Sequence, residues 1–151
     1  MTDDGLMKLY RGAVFEVQGD HGRIRILLDQ GNPTLDAFLT RHLVTDTWAF
    51  ITAWNPGDER PSPGENQRAQ LLLEEQVRGA GWSMWPGDGA SPDGEHVEPS
   101  ILIAGIAPEA ARTLGQAFRQ RAIIVGAVGQ PARLLDLSLD LELLNHHPEN
   151  R

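Results

Sequence analysis

The sequence predicts a single α/β domain, with α+β as the close alternative: a mixed β-sheet of about five to six strands packed with three helices. Three observations carry this expectation. A chain of 151 residues with 40% apolar content has the commonest size for one domain and enough material for a continuous core. Two runs, "WAFITAW" (48–54) and "SILIAGI" (100–106), are apolar on both parities, as interior strands covered on both faces are. Around them lie segments whose apolar residues recur at helical spacing and that begin at capping signals.

Taken in order, "AVFEV" (13–17) and "RIRILL" (23–28), joined by "QGDHG", read as a hairpin, because Arg23, Ile24, Arg25 and Ile26 alternate with the period of a half-wet strand. Asn32 as N-cap and Pro33 at the first helical position open a short helix with Leu35, Phe38, Leu39 and Leu43 inward. The strand 48–54 sets aromatics on one face and Ala49, Ile51 and Ala53 on the other, with Thr52 its polar interior residue. "SPGE" (62–65) matches a capping box, and the helix that follows carries Ala69, Leu72, Leu73 and Val77 inward until Gly79 or Gly81 ends it. Residues 82–99, dense in glycine, proline and aspartate, read as a long loop. After strand 100–106, Pro108 and Glu109 open a helix with Ala110, Leu114, Ala117 and Phe118 inward, and "AIIVGAV" (122–128) completes a right-handed β-α-β unit. In "RLLDLSLDLELL" strict leucine/acid alternation favours an edge strand, while Leu137, Leu141 and Leu144 would equally form a helical stripe, so 134–145 stays open. Residues 1–9 and 146–151 are expected to be flexible tails of the one domain 1–151.

Composition excludes several functions. A formal charge of −8 disfavours nucleic acid and anionic membrane surfaces as partners. No run approaches the roughly twenty apolar residues of a membrane span, and "MTDDGLMK" lacks the pattern of a signal peptide, so a cytoplasmic location is expected. Zero cysteines remove disulfides, thiolate metal sites and cysteine nucleophiles. The chain has no phosphate-binding loop, no nucleophile elbow, no zincin motif and no dinucleotide fingerprint. His96 and Glu98 form an H-x-E, but no cysteine pair follows to complete a deaminase zinc site. "DGASPDGE" (88–95) fails the calcium-loop spacing, and no metal site is expected. His42 beside an apolar stripe reads as a hydrogen-bonded core histidine, and no serine stands in a nucleophile setting.

What remains is a set of polar residues at element ends. Asn55 precedes Pro56-Gly57, where its side chain can bond its own turn. Asn66 lies past the capping box, inside the helix, where asparagine is neither a good former nor a cap, so it calls for a role outside the helix. If strands 48–54 and 100–106 are antiparallel neighbours, Asn55 meets Glu98 and Ser100 at one end of the sheet, with Arg68 as an anion clamp.

"ITAWNP", then Asn66 and Arg68, then "EPS" leading into an apolar strand, then "F-x-Q-x-A-I" at 118–123 form an ordered set that resembles the bacterial family known as domain of unknown function 3293, over Tyr10 to about Leu135. The resemblance implies Thr52, Asn55, Pro56, Asn66, Glu98, Ser100 and Gln120 as the motif positions, and it implies no activity or cofactor. The chain departs from the pattern at Arg119 and Arg121, where glycine and asparagine are usual, and in lacking a tryptophan shortly before Glu98. Two readings follow. One is a small-molecule pocket for a nucleotide or metabolite, lined by Thr52, Asn55, Asn66, Arg68, Glu98, Ser100 and Gln120, with Glu98 the best candidate for an acid or base. The other is a structural or regulatory interaction module, in which the polar set is an internal hydrogen-bond network and the C-terminal leucine-rich segment pairs with a protein partner or a second copy. Partial exposure of Asn66, Glu98 and Gln120 would favour the first, and mutual burial the second.

Overall fold

The computed structural model describes residues 3–57 and 59–138. In chain order the elements are α1 (Asp3–Gly12), β1 (Val14–Gln18), β2 (Arg23–Ile26), α2 (Pro33–Arg41), β3 (Thr47–Ile51), α3 (Pro63–Gly79), β4 (Ser83–Ala90), β5 (Val97–Ala104), α4 (Pro108–Ala117), β6 (Ala122–Ala127) and β7 (Arg133–Asp136). The fold is α+β: the seven strands form one sheet in the order β2-β1-β4-β5-β3-β6-β7, and every ladder in it is antiparallel.

The sheet therefore differs from the expected mixed sheet of five to six strands with three helices. Chain order explains the difference. β5 and β6 both run antiparallel to β3, which lies between them, so the expected β-α-β unit exists but is split by an intervening strand. β3 and β4 likewise run parallel to each other on either side of β5. The segment β3-α3-β4-β5-α4-β6 is thus a ferredoxin-like β-α-β-β-α-β arrangement with split crossovers. The hairpin β1-β2 extends it past β4, and β7 extends it past β6.

The additional strand is β4, drawn from the segment that reads as a loop because "SMWPGDGA" is poor in strand formers. Its glycines are there for close approach. A Cβ at Gly87 would run into the Glu16 carbonyl of β1, and one at Gly89 would stand 3.1 Å from the Phe15 ring. Pro86 lies one residue past the last β1 pair, Val17 with Gly87, where a missing N–H breaks no ladder on that side. The additional helix is α1, in the stretch read as a tail.

The two ends of the sheet meet again where Leu28 bridges Ala132 and the Asp29 N–H donates to the Ala132 carbonyl at 2.7 Å, so the sheet curls into a half-barrel. Its concave face wraps α2: Leu35, Phe38 and Leu39 pack with Val17, Ile26, Trp48, Phe50, Leu102, Ile124 and Leu134. Its convex face carries α3 and α4, with Leu73, Val77, Ala111 and Leu114 against Ala49, Ile51, Ile101, Ile103, Ile123 and Val125. Both faces of β3 and β5 are covered, which is why those runs are apolar throughout.

Three inward assignments are corrected. Leu72 is 54% exposed and Leu43 90% exposed, and Ala117 is exposed while Ala111 takes the buried place. Asn32 does cap α2, accepting from Leu35 N, and Ser62 and Glu65 form the capping box of α3. Residues 133–136 are strand, and the rest of the leucine-rich stretch from 139 onward lies outside the described residues, as does the tail 146–151. Among the described residues no helix is long and apolar enough to cross a membrane.

Candidate functional site

Strand alternation builds the site. Phe50 and Thr52 follow one parity of β3, Glu98, Ser100 and Leu102 one parity of β5, and Gln120, Ala122 and Ile124 one parity leading into β6, so all share the concave face. Along that face the residues change from apolar beneath α2 to polar at the end where β3 exits and β5 begins. Antiparallel pairing of Ile51 with Ile101 brings that exit beside that start.

The polar end is organised by two asparagines. Asn55 has φ 48°, the left-handed region, which asparagine tolerates better than other residues with a Cβ. Asn66, one turn into α3, holds it there: Asn66 Oδ1 accepts from the Asn55 backbone N–H at 2.9 Å, and Asn66 Nδ2 donates to Asn55 Oδ1 at 2.9 Å. With its oxygen engaged, Asn55 presents its Nδ2 outward, donating to Glu98 Oε2 at 3.1 Å. One turn further along α3, Gln70 Oε1 accepts from the Ala53 N–H at 2.8 Å. Thr52 Oγ1 donates to the Pro99 carbonyl at 2.6 Å and accepts from Trp54 N at 3.0 Å, tying β3 to β5 past the last ladder pair. Ser100 Oγ donates to the Glu98 carbonyl at 3.1 Å, and Gln120 Nε2 donates to the carbonyls of Phe118 at 3.3 Å and Trp54 at 3.4 Å.

Of these residues Thr52, Trp54, Asn55, Glu98, Ser100 and Gln120 border a cavity of about 360 Å³ between α1, the polar end of the concave face and the loop after β3. Phe15, Phe50, Ile124 and Leu134 supply apolar wall, and Tyr10, Arg60, His96, Glu98 and Arg121 bring charge or polarity. Burial pushes the Glu98 carboxyl above its usual range against the pull of the Asn55 hydrogen bond. Burial, reinforced by the nearby Glu98 charge, pushes the Tyr10 phenol up to about 12.

Of the residues singled out in the sequence, Thr52, Asn55, Glu98, Ser100 and Gln120 border the cavity. Asn66 is 3% exposed and lies behind Asn55. Arg68 does not join them: it is exposed on α3 with its guanidinium near Gly64, so it clamps nothing in the cavity. The criterion of exposure therefore divides the set, since Asn66 and Gln120, 4% exposed, are buried while Glu98 is partly open. Gln70, Tyr10, Arg60 and the apolar wall were missed. Gln70 had a signal, being polar at i+4 from Asn66 on the same buried stripe as Leu73 and Val77. The wall residues share strand parity with Thr52 and Ser100. Tyr10 and Arg60 had none, because they enter from α1 and a loop.

No group of three or more His, Asp or Glu side chains able to hold a metal ion occurs among the described residues. His42 is exposed, not core: its Nε2 sits 2.9 Å from Asp20 Oδ1, with its ring against Phe38 and Trp85. Comparison with known proteins gives one match: residues 51–123 fit the family model described as Protein of unknown function (DUF3293). That span contains all four motifs and is narrower than Tyr10 to Leu135. No curated protein and no solved structure matches.

Proposed function

Since residues 51–123 make this chain a DUF3293 domain-containing protein, a family described without an activity, we propose a function from the cavity itself: it binds a small organic molecule, a nucleotide or other metabolite, through Glu98 and its polar surroundings. The observation that carries the reading is the state of Glu98. It is a carboxylate on the wall of a cavity of about 360 Å³, with burial raising its pKa and only Asn55 Nδ2 bonded to it among the described residues. A buried carboxylate with an open oxygen is costly unless a partner compensates it, and the size falls within the range of small-molecule sites. Asn66 and Gln70 serve as positioning residues that fix the loop carrying Asn55. A single carboxylate supports binding more directly than catalysis. The absence of cysteine fits a cytoplasmic, reducing setting in a bacterial cell, and the acidic balance makes nucleic acid a poor partner.

The burial of Asn66, Gln70 and Gln120 favours a second reading, an interaction module in which the polar cluster only stiffens the loop after β3 and the leucine-rich C-terminal segment meets a partner or a second copy. A thermal-shift screen of nucleotides, coenzymes, sugars and amino acids separates the two, because a ligand selective for the native state raises Tm. Binding predicts hits that vanish in Glu98→Gln while that variant keeps its stability. Silence across the library, with Asn66→Ala merely melting earlier, favours the interaction module.

A further inference from the structure

We infer that the ligand class of this cavity is a small zwitterion of the amino-acid type: an ammonium received by Glu98, a carboxylate received by Arg60, and an apolar body between them. The inference rests on the binding reading above and narrows it. Glu98 sits inside, on the start of β5, with Oε2 occupied by Asn55 Nδ2 and no Lys, Arg or His within ion-pair distance among the described residues. The missing complement of Oε1 is a charged N–H donor. Such a donor would make the strong, charge-assisted kind of hydrogen bond and relieve the burial that raises this carboxyl.

Arg60 stands at the rim, exposed, and borders the same cavity. Its Nη1 donates to the Glu59 carbonyl at 2.8 Å, and no carboxylate lies within ion-pair distance of it among the described residues. It is close enough to pull on the titration of both Glu98 and Tyr10. A guanidinium is always charged and presents a planar fork suited to a carboxylate. Phe15, Phe50, Ile124 and Leu134 supply the apolar part of the wall that would hold the ligand's body, and Tyr10, His96 and Arg121 border the same cavity.

Three simpler classes fit worse. A neutral apolar molecule would seal Glu98 away from water without a partner. A simple anion would bind Arg60 but place its charge near Glu98 in a site of low dielectric. A simple amine would satisfy Glu98 and meet the positive field of Arg60. A molecule with both charges matches both ends.

The test is isothermal titration of the full chain with L-phenylalanine, L-leucine, 3-phenylpropionate and 2-phenylethylamine. At least one amino acid binds, and for L-phenylalanine each half-charged analogue is weaker by about tenfold or more. In Glu98→Gln the advantage of L-phenylalanine over 3-phenylpropionate collapses to roughly twofold, and in Arg60→Gln its advantage over 2-phenylethylamine does. Far-UV circular dichroism checks that both variants fold, the first being isosteric and the second at an exposed position. Equal binding of an amino acid and either analogue, or no binding by either amino acid, overturns the zwitterion class. In that event a screening hit of other chemistry that is lost in Glu98→Gln leaves the cavity reading standing, whereas no hit of any kind removes both.

Discussion

Asn55 and Asn66 form a reciprocal pair whose energy can be worked out in advance. Asn66→Ala deletes an acceptor for the Asn55 N–H and a donor to Asn55 Oδ1, both at 2.9 Å. Two hydrogen bonds at about 1 kcal/mol each, plus about 1–2 kcal/mol for a partly buried N–H left without its acceptor, give an expected loss of about 3–4 kcal/mol. Asn55→Gly keeps its N–H bonded to Asn66 Oδ1 and relieves a left-handed φ of 48°, a gain of roughly 1 kcal/mol. It strands the buried Asn66 Nδ2, so its net loss should be about 1–2 kcal/mol. In the double variant the stranded Nδ2 no longer exists, and the total should fall short of the sum by at least about 0.5 kcal/mol. Urea denaturation followed by tryptophan fluorescence measures all three, with Trp54 reporting next to the pair. Additivity within about 0.3 kcal/mol, or a loss below about 0.5 kcal/mol for Asn66→Ala, would refute the claim that Asn66 is in the helix to hold Asn55.

Further predictions rest on single groups. Glu98 has a folded pKa above its ordinary 4.5, so the folded state binds the proton more tightly, and its contribution to stability is full below 4.5 and lost as pH rises through the raised value. Glu98→Gln should therefore match the parent near pH 4 and gain on it toward neutrality, read as a growing Tm difference; a difference independent of pH would contradict the burial argument. The chain has one tyrosine, so an absorbance titration near 295 nm reads Tyr10 alone: the phenol should ionise near 12, and an ordinary value near 10 would show that α1 leaves it wet. Because the folded pKa is raised, its share of stability is present below 10 and lost as pH climbs toward 12. Gly126→Ala would place a Cβ inside the Trp48 ring that crosses it, so a loss of about 2 kcal/mol or more is expected in denaturant melts, and a neutral change would disprove that contact.

How much of this was legible depends on whether a residue's reason was local. The caps of α2 and α3, the two-faced apolar runs of β3 and β5, and the helix α4 follow from signals within a few residues of each other, and each was readable. β4 was not, because Gly87 and Gly89 are chosen by what lies across the sheet, the Glu16 carbonyl and the Phe15 ring, which no local window contains. The split crossovers were missed for a similar reason: sequence periodicity gives strands and helices but not which strand enters between two others. On the site, Asn66 was found because it broke a local rule with no local compensation, and its neighbour Gln70 broke the same rule unnoticed. Arg68 failed for the opposite reason, since chemistry suited to an anion says nothing about which side of a helix faces the cavity.

The fold also explains why the polar set lies where it does. A half-barrel whose concave face is filled by a helix of nine residues has apolar content only as far as that helix reaches. Beyond it, inward positions on β3, β5 and β6 face a space that α1 covers without filling, and there the same alternation that delivers Phe50, Leu102 and Ile124 delivers Thr52, Ser100 and Gln120. Thr52 Oγ1, Ser100 Oγ and Gln120 Nε2 spend hydrogen bonds on backbone carbonyls, which makes these groups struts. Glu98 keeps one carboxylate oxygen uncommitted among the described residues. Rigid struts around one carboxylate with an open oxygen are what a preorganised binding site would require.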